Sequence, residues 1–200
     1  MKILAVGDLH GDLTQAKRLA KMAEKEKVDL VIFSGDFTNF DMHTEGLMKV
    51  FKDKHLRLAL IPGNHESPAT ADALASKYGA INLHGYATYF DELGIFGCGA
   101  ANIGLFQLPE PDIFGLLKYG FEKIKGKKKK LMVTHVHPDG TLMSKFSDIV
   151  PGSNAVTKAL YEFKPDVAIC SHVHEAESLE EQVGKTKVVN VGKEGKIIEI

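Results

Sequence analysis

Short apolar runs alternate along the chain with stretches that are apolar on one side only. Residues 3–6, 30–33, 56–61, 131–133 and 167–170 are dominated by aliphatic side chains. Runs this short, closed by turn-forming residues, predict strands buried on both faces. After the first run, Leu13, Ala16, Leu19, Ala20 and Ala23 recur at helical spacing with Lys and Glu between them, so an amphipathic helix is predicted. Residues 156–163 predict a second helix, and Pro109 with Pro111 predicts the start of a third that reaches about Ile124. Residues 86–90 and 94–96 flank Asp91-Glu92 as two arms of a hairpin. The tail segments 187–191 and 196–200 alternate like antiparallel strands. Strand, loop, helix, strand is the rhythm of a layered α/β fold. With no repeat or linker in 200 residues, one domain over 1–200 is expected.

Composition narrows the picture only slightly. A hydrophobic share of 44% is enough for a core, and a formal net charge of -1 gives no bulk attraction to nucleic acid or anionic membrane. The run Lys125-Gly126-Lys127-Lys128-Lys129-Lys130 reads as a solvated turn into the next strand. No stretch approaches the roughly 18 apolar residues of a membrane span, and the N-terminal run is too short for a signal peptide. A cytoplasmic protein is expected. Cys98 and Cys170, far apart in apolar surroundings, are expected to be buried thiols.

The residues that close the strands are more informative. Five apolar runs each end in polar side chains able to bind metal: Asp8 with His10, Asp36, Asn64 with His65, His135, and His172 with His174. In a largely parallel sheet the strand ends at one edge are neighbours, and that edge is where open α/β sheets place ligands. Two aspartates, one asparagine and up to five imidazoles would then converge, with no thiolate. Mixed nitrogen and oxygen donors suit manganese, iron, cobalt, nickel or zinc. There are too many donors for one ion, whereas two ions sharing a carboxylate would use them all and would deprotonate a bridging water readily.

The blocks Gly7-Asp8-Leu9-His10, Gly35-Asp36, Gly63-Asn64-His65-Glu66, Thr134-His135 and Ser171-His172-Val173-His174 together resemble the calcineurin-like metallophosphoesterase superfamily. Glu175-Ala176, Gly184-Lys185-Thr186 and Val189-Asn190 look like its small Icc-related branch. The resemblance implies an α/β fold, a four-layer α-β-β-α sandwich of two mixed sheets flanked by helices. It implies two divalent metal ions, manganese first, with iron, zinc, nickel or cobalt as alternatives. Asp8, His10 and His174 would hold one ion, Asn64, His135 and His172 the other, and Asp36 would bridge them. His65 would meet the leaving-group oxygen as general acid or charge stabiliser. The implied activity is hydrolysis of a small phosphodiester or phosphomonoester by a metal-bridging hydroxide, diesters favoured. Two positions depart from the family pattern. Ser171 stands where glycine is usual, and the turn is expected to survive. Asn39 stands where an aspartate usually orients the catalytic imidazole, and it is expected to accept a hydrogen bond from His65 without supplying charge.

Other readings are blander. Asp12 and Glu66 are expected to cap helices at loop ends. His43, His55 and His84 are expected on the surface or in packing. His137 is too, although its strand parity with His135 gives it a route to the site. The apolar segment 103–108 is expected to pack on the hairpin or to act as a lid or subunit contact. A nuclease of the same superfamily is the alternative activity, motivated by the lysine run but lacking the extra domains such enzymes carry. A non-catalytic binding scaffold is the alternative class, although relatives of that kind lose ligands that are all present here. A protein phosphatase is disfavoured, because Ile61-Pro62 stands where that branch places a phosphate-gripping arginine.

Overall fold

The computed structural model describes residues 1–42, 46–146 and 149–200; His43 lies outside them. The chain begins β1 (Lys2–Val6), α1 (Leu13–Lys25), β2 (Leu30–Phe33), α2 (Lys49–Lys52), β3 (Leu58–Leu60), α3 (Pro68–Tyr78) and β4 (Ile81–Asn82). A hairpin of β5 (Ala87–Phe90) and β6 (Leu93–Cys98) leads to α4 (Glu110–Ile124) and β7 (Lys129–Thr134). The remainder is α5 (Asn154–Phe163), β8 (Val167–Cys170), β9 (Glu180–Val183), β10 (Thr186–Asn190) and β11 (Lys196–Glu199).

The strands form two mixed sheets. One has the order β11-β1-β2-β3-β4, with β11 antiparallel to β1 and the rest parallel. The other has the order β5-β6-β7-β8-β10-β9, parallel inside and antiparallel at both edges. Strand parity explains why the central runs are apolar throughout. Ile3 and Ala5 of β1 face the other sheet, packing in a cluster with Leu131, Val133 and Ile169. Leu4 and Val6 face outward against Ala16, Leu19, Ala20 and Ala23 of α1. On the far side, Met132, Ala168 and Val188 pack against Ile113 and Leu117 of α4 and Leu160 and Phe163 of α5. The result is four layers, helix, sheet, sheet, helix, as the family resemblance implied. No helix among the described residues is long and apolar enough to cross a membrane.

Several elements differ from the sequence expectation. The two tail strands exist, but they do not pair with each other: β10 lies between β8 and β9 in one sheet, whereas β11 adds to β1 in the other. Alternation marks each as half-buried without naming its neighbour. The third apolar run is a strand only over Leu58–Leu60. In the segment after Ala100, Leu108 packs against the cluster that holds Phe96 and Cys98 of the hairpin strand β6. The segment also folds over Asn64, with Phe106 N donating to Asn64 O at 3.3 Å, while a Cβ on Gly104 would sit 2.5 Å from Asn64 Nδ2. Residues 125–128 of the lysine run form the turn from α4 into β7, whereas Lys129 and Lys130, expected in that turn, open the strand. Cys98 and Cys170 are buried and unpaired.

Candidate metal centre

Five of the parallel strands, β1, β2, β3, β7 and β8, end in loops that carry the candidate site residues. Asp8, His10, Asp36 and His172 all have left-handed backbone, with φ of 53°, 44°, 51° and 75°. Non-glycine residues there are strained and persist only where their surroundings hold them, which is common at functional sites. The holding bonds are visible. Asp8 N donates to Gly35 O, His10 N to Asp36 O and Gly11 N to Phe37 O, so the loops after β1 and β2 are stitched together. Glycine is required where these loops touch the next one: a Cβ on Gly35 would meet Gly63 Cα at 2.7 Å and His135 Nδ1 at 2.6 Å.

Side chains from five loops converge here. Around Asp36 Oδ2 stand His135 Nε2 at 3.4 Å, His65 Nε2 at 3.9 Å and His10 Nε2 at 4.0 Å. His174 Nε2 lies 3.8 Å from Asp8 Oδ1, and Asn64 Oδ1 lies 3.0 Å from His135 Nε2. Three overlapping groups bring their donor atoms within 4.8 Å of one another: Asp8, His10 and His174; His10, Asp36 and His65; Asp36, His135 and His172. The first group contains Asp8, His10 and His174, the third places His135 and His172 with Asp36, and the second links them through His10 and Asp36.

The donors suit metal ions better than they suit one another. Asp8 Oδ1 and His172 Nε2 are buried without a hydrogen-bond partner, a costly state in a protein interior. Ligands about 2.0–2.2 Å from one ion stand roughly 3–3.5 Å apart, close to the spacing around Asp36. Electrostatics agree. Burial pushes Asp8 up to about 6 against the pull of His135 and His174. Burial would raise Asp36 as well, but the charge and hydrogen bond of His135, then His65, hold it well below the usual carboxylate range. Burial works to lower His135, yet Asp36 and Asp8 bring it up to about 9. Burial, reinforced by His135, takes His172 down to about 3, leaving its imidazole neutral near pH 7. Without metal, a proton on His135 balances the buried carboxylates.

Supporting contacts explain one of the two departures from the family pattern, at Ser171. Ser171 Oγ donates to Ser34 O at 2.9 Å and lies 3.0 Å from His135 Nδ1, which also approaches Ser34 O at 2.9 Å. An Nδ1–H directed at that carbonyl turns Nε2 toward Asp36 and Asn64, where loss of its proton would present the lone pair to an ion. The serine therefore keeps the turn and joins the second sheet to the first. Asn39 does not behave as expected. Its backbone pairs with Met42, and His65 Nδ1 is buried with no hydrogen-bond partner.

Glu66 is a correction as well. Asp12 caps α1 by accepting from Gln15 N, but α3 is capped by Ser67, not by Glu66. The Glu66 carboxylate, fully buried, accepts from Asp36 N, Thr38 N, Thr38 Oγ1 and Gly63 N at 2.7–2.9 Å. It ties the Asp36 loop to the Asn64 loop. Its place beside Gly63-Asn64-His65 was the one available clue, and nothing in the sequence says which amides it serves.

Among the described residues, the remaining histidines are His55, His84 and His137. His55 is exposed, and His84 Nδ1 accepts from Gly99 N. His137 is buried with neither ring nitrogen bonded. Beside the cluster lies a cavity of about 490 Å³ lined by Asp8, Leu9, His10, Asp12, His174, Glu177, Gly192 and Lys193.

Two mixed sheets between helices, with oxygen and nitrogen donors gathered at one strand edge, define the metallophosphoesterase class of fold. The model of the calcineurin-like phosphoesterase family matches residues 1–176, and the chain belongs to that family. Among solved structures, TT1561 of Thermus thermophilus superposes with a TM-score of 0.78 at 18% identity, over 96% of this chain and 90% of that one. A dimetal phosphatase from Danio rerio gives 0.66 at 12% identity, over 96% and 88%. An archaeal phosphodiesterase gives 0.53 at 18% identity, over 96% and 84%. At these identities the likeness is one of fold. No curated protein sequence matches the chain.

Proposed function

We propose that the chain is a phosphodiesterase acting on a small phosphodiester with two divalent cations, manganese foremost. Asp8, His10 and His174 would hold one cation and Asn64, His135 and His172 the other, with Asp36 shared. The observation that carries this reading is the crowding of imidazole nitrogens from separate loops at 3.4–4.0 Å around Asp36 Oδ2. Bound cations supply Lewis-acid polarisation of the phosphoryl group and a water acidic enough to attack near neutral pH. The chain's own residues do the rest. Ser34 and Ser171 fix the ring of His135, Glu66 fixes the loops on either side of Asp36, and His65 presents Nε2 to the departing oxygen, where a proton is needed. A diester is preferred because it carries one negative charge at its phosphate. A monoester dianion calls for more cationic grip, and among the described residues lining the cavity only Lys193 is a lysine or arginine.

The test is hydrolysis of bis-p-nitrophenyl phosphate and p-nitrophenyl phosphate with manganese, before and after chelation. Chelator-sensitive turnover with higher kcat/KM on the diester is expected. A preference for the monoester would reassign the chain as a phosphatase. No turnover with any first-row divalent metal would leave the scaffold reading in its place.

A further inference from the structure

His65 lacks the support that a histidine working on a leaving group ordinarily has. Its Nδ1 is buried and unbonded, so no hydrogen bond fixes rotation about its ring axis. Yet its Nε2 points at Asp36 Oδ2, 3.9 Å away. The ring is fixed by its faces instead. Phe40 stacks on it with centroids 4.0 Å apart and planes inclined by 22°, and the His10 ring closes from another side at 4.6 Å and 65°. Phe40 is 47% exposed, so burying its own surface does not account for its placement. It also has left-handed backbone, φ 51°, followed by Asp41 at φ 61°. A bulky residue in that region is an outlier that only its surroundings can hold. Those surroundings belong to the histidine: Asp41 N donates to His65 O at 3.1 Å, and Asp41 Oδ1 accepts from Ser67 N at 2.9 Å. The strained turn is bonded to the same short segment its ring covers.

We propose that Phe40 is a positioning residue, whose ring stacks on the His65 imidazole and holds it toward Asp36 where a hydrogen bond to Nδ1 would otherwise do so. The proposal rests on the function above for what His65 does, but not for whether the ring is held. Two readouts separate these. In metal-free protein, the His65 ring protons, assigned by their loss in His65→Gln, are expected upfield under the Phe40 ring current. They should move downfield in Phe40→Leu, which keeps apolar bulk, and stay upfield in Phe40→Tyr. In metal-loaded enzyme, aryl phosphodiesters of graded leaving-group pKa should show a selective kcat loss in Phe40→Leu. That loss should be roughly ten- to a hundredfold on the poorest leaving groups, a part of the roughly 10²–10⁴-fold that proton transfer contributes, with KM little changed and activity restored in Phe40→Tyr. Unmoved His65 resonances in Phe40→Leu overturn the proposal, as does a moved resonance with an unaltered leaving-group dependence. If the wild type cleaves no ester at all, the function reading fails, and a nuclear Overhauser contact from the His65 ring to His10 that persists in Phe40→Tyr and is lost in Phe40→Leu still decides whether Phe40 holds the ring.

Discussion

His135 shows most clearly how one residue reports on the whole cluster. It is fully buried, and its neighbours Asp36 and Asp8 bring its pKa up to about 9 despite the burial that opposes a charge. The folded-state value lies above the unfolded value of about 6.5. The resulting stability is complete below about pH 6.5 and is lost as pH rises through about 9. Metal-free protein, held in chelator and unfolded with urea, should therefore lose stability across that window, and His135→Asn should remove most of the slope. An unchanged slope in the variant would place the proton elsewhere. The candidate ligands were legible from residue types alone, because a carboxylate or imidazole closing an apolar strand has few structural uses. Glu66 was not legible. Its task is to accept hydrogen bonds from amides of two loops, and a sequence does not show which amides a carboxylate meets. Asn39 misled for a related reason: a side chain at the right spacing need not point at the ring it could serve.

Elements were readable in proportion to how fully they are buried. β1, β2, β7 and β8 are covered on both faces, so their sequences are continuous apolar runs bounded by turns. β9, Glu-Glu-Gln-Val at a sheet edge, has one buried residue and carries no such signal. α3 is rich in alanine and weakly two-sided, and it comes directly after a site block that draws the eye. The pairing of β10 and β11 with separate sheets is a tertiary choice that strand alternation does not encode. At this scale Asp12 offers a clean distinction. It lines the cavity beside His10, yet its Oδ1 accepts from Gln15 N at the start of α1. Asp12→Ala is expected to lower stability by about 1 kcal/mol through loss of the cap, with metal content unchanged by elemental analysis. Loss of metal at unaltered stability would make Asp12 a ligand instead.

The centre belongs to the molecule as a whole, since neither sheet holds it alone. Asp8, His10, Asp36, Asn64 and His65 come from loops after β1, β2 and β3, whereas His135, His172 and His174 come after β7 and β8 of the other sheet. Ser171 Oγ bonded to Ser34 O and His172 N directed at Asp8 Oδ2 join the two edges. That convergence was legible in the sequence because parallel strands bring their ends together; the distances among the ends were not. The most direct measurement is a crystal structure of manganese-loaded protein with anomalous scattering from the metal. Two peaks roughly 3.5–4 Å apart on either side of Asp36 are expected. One peak alone, or peaks that leave Asp36 or His172 uncoordinated, would contradict the shared two-cation centre.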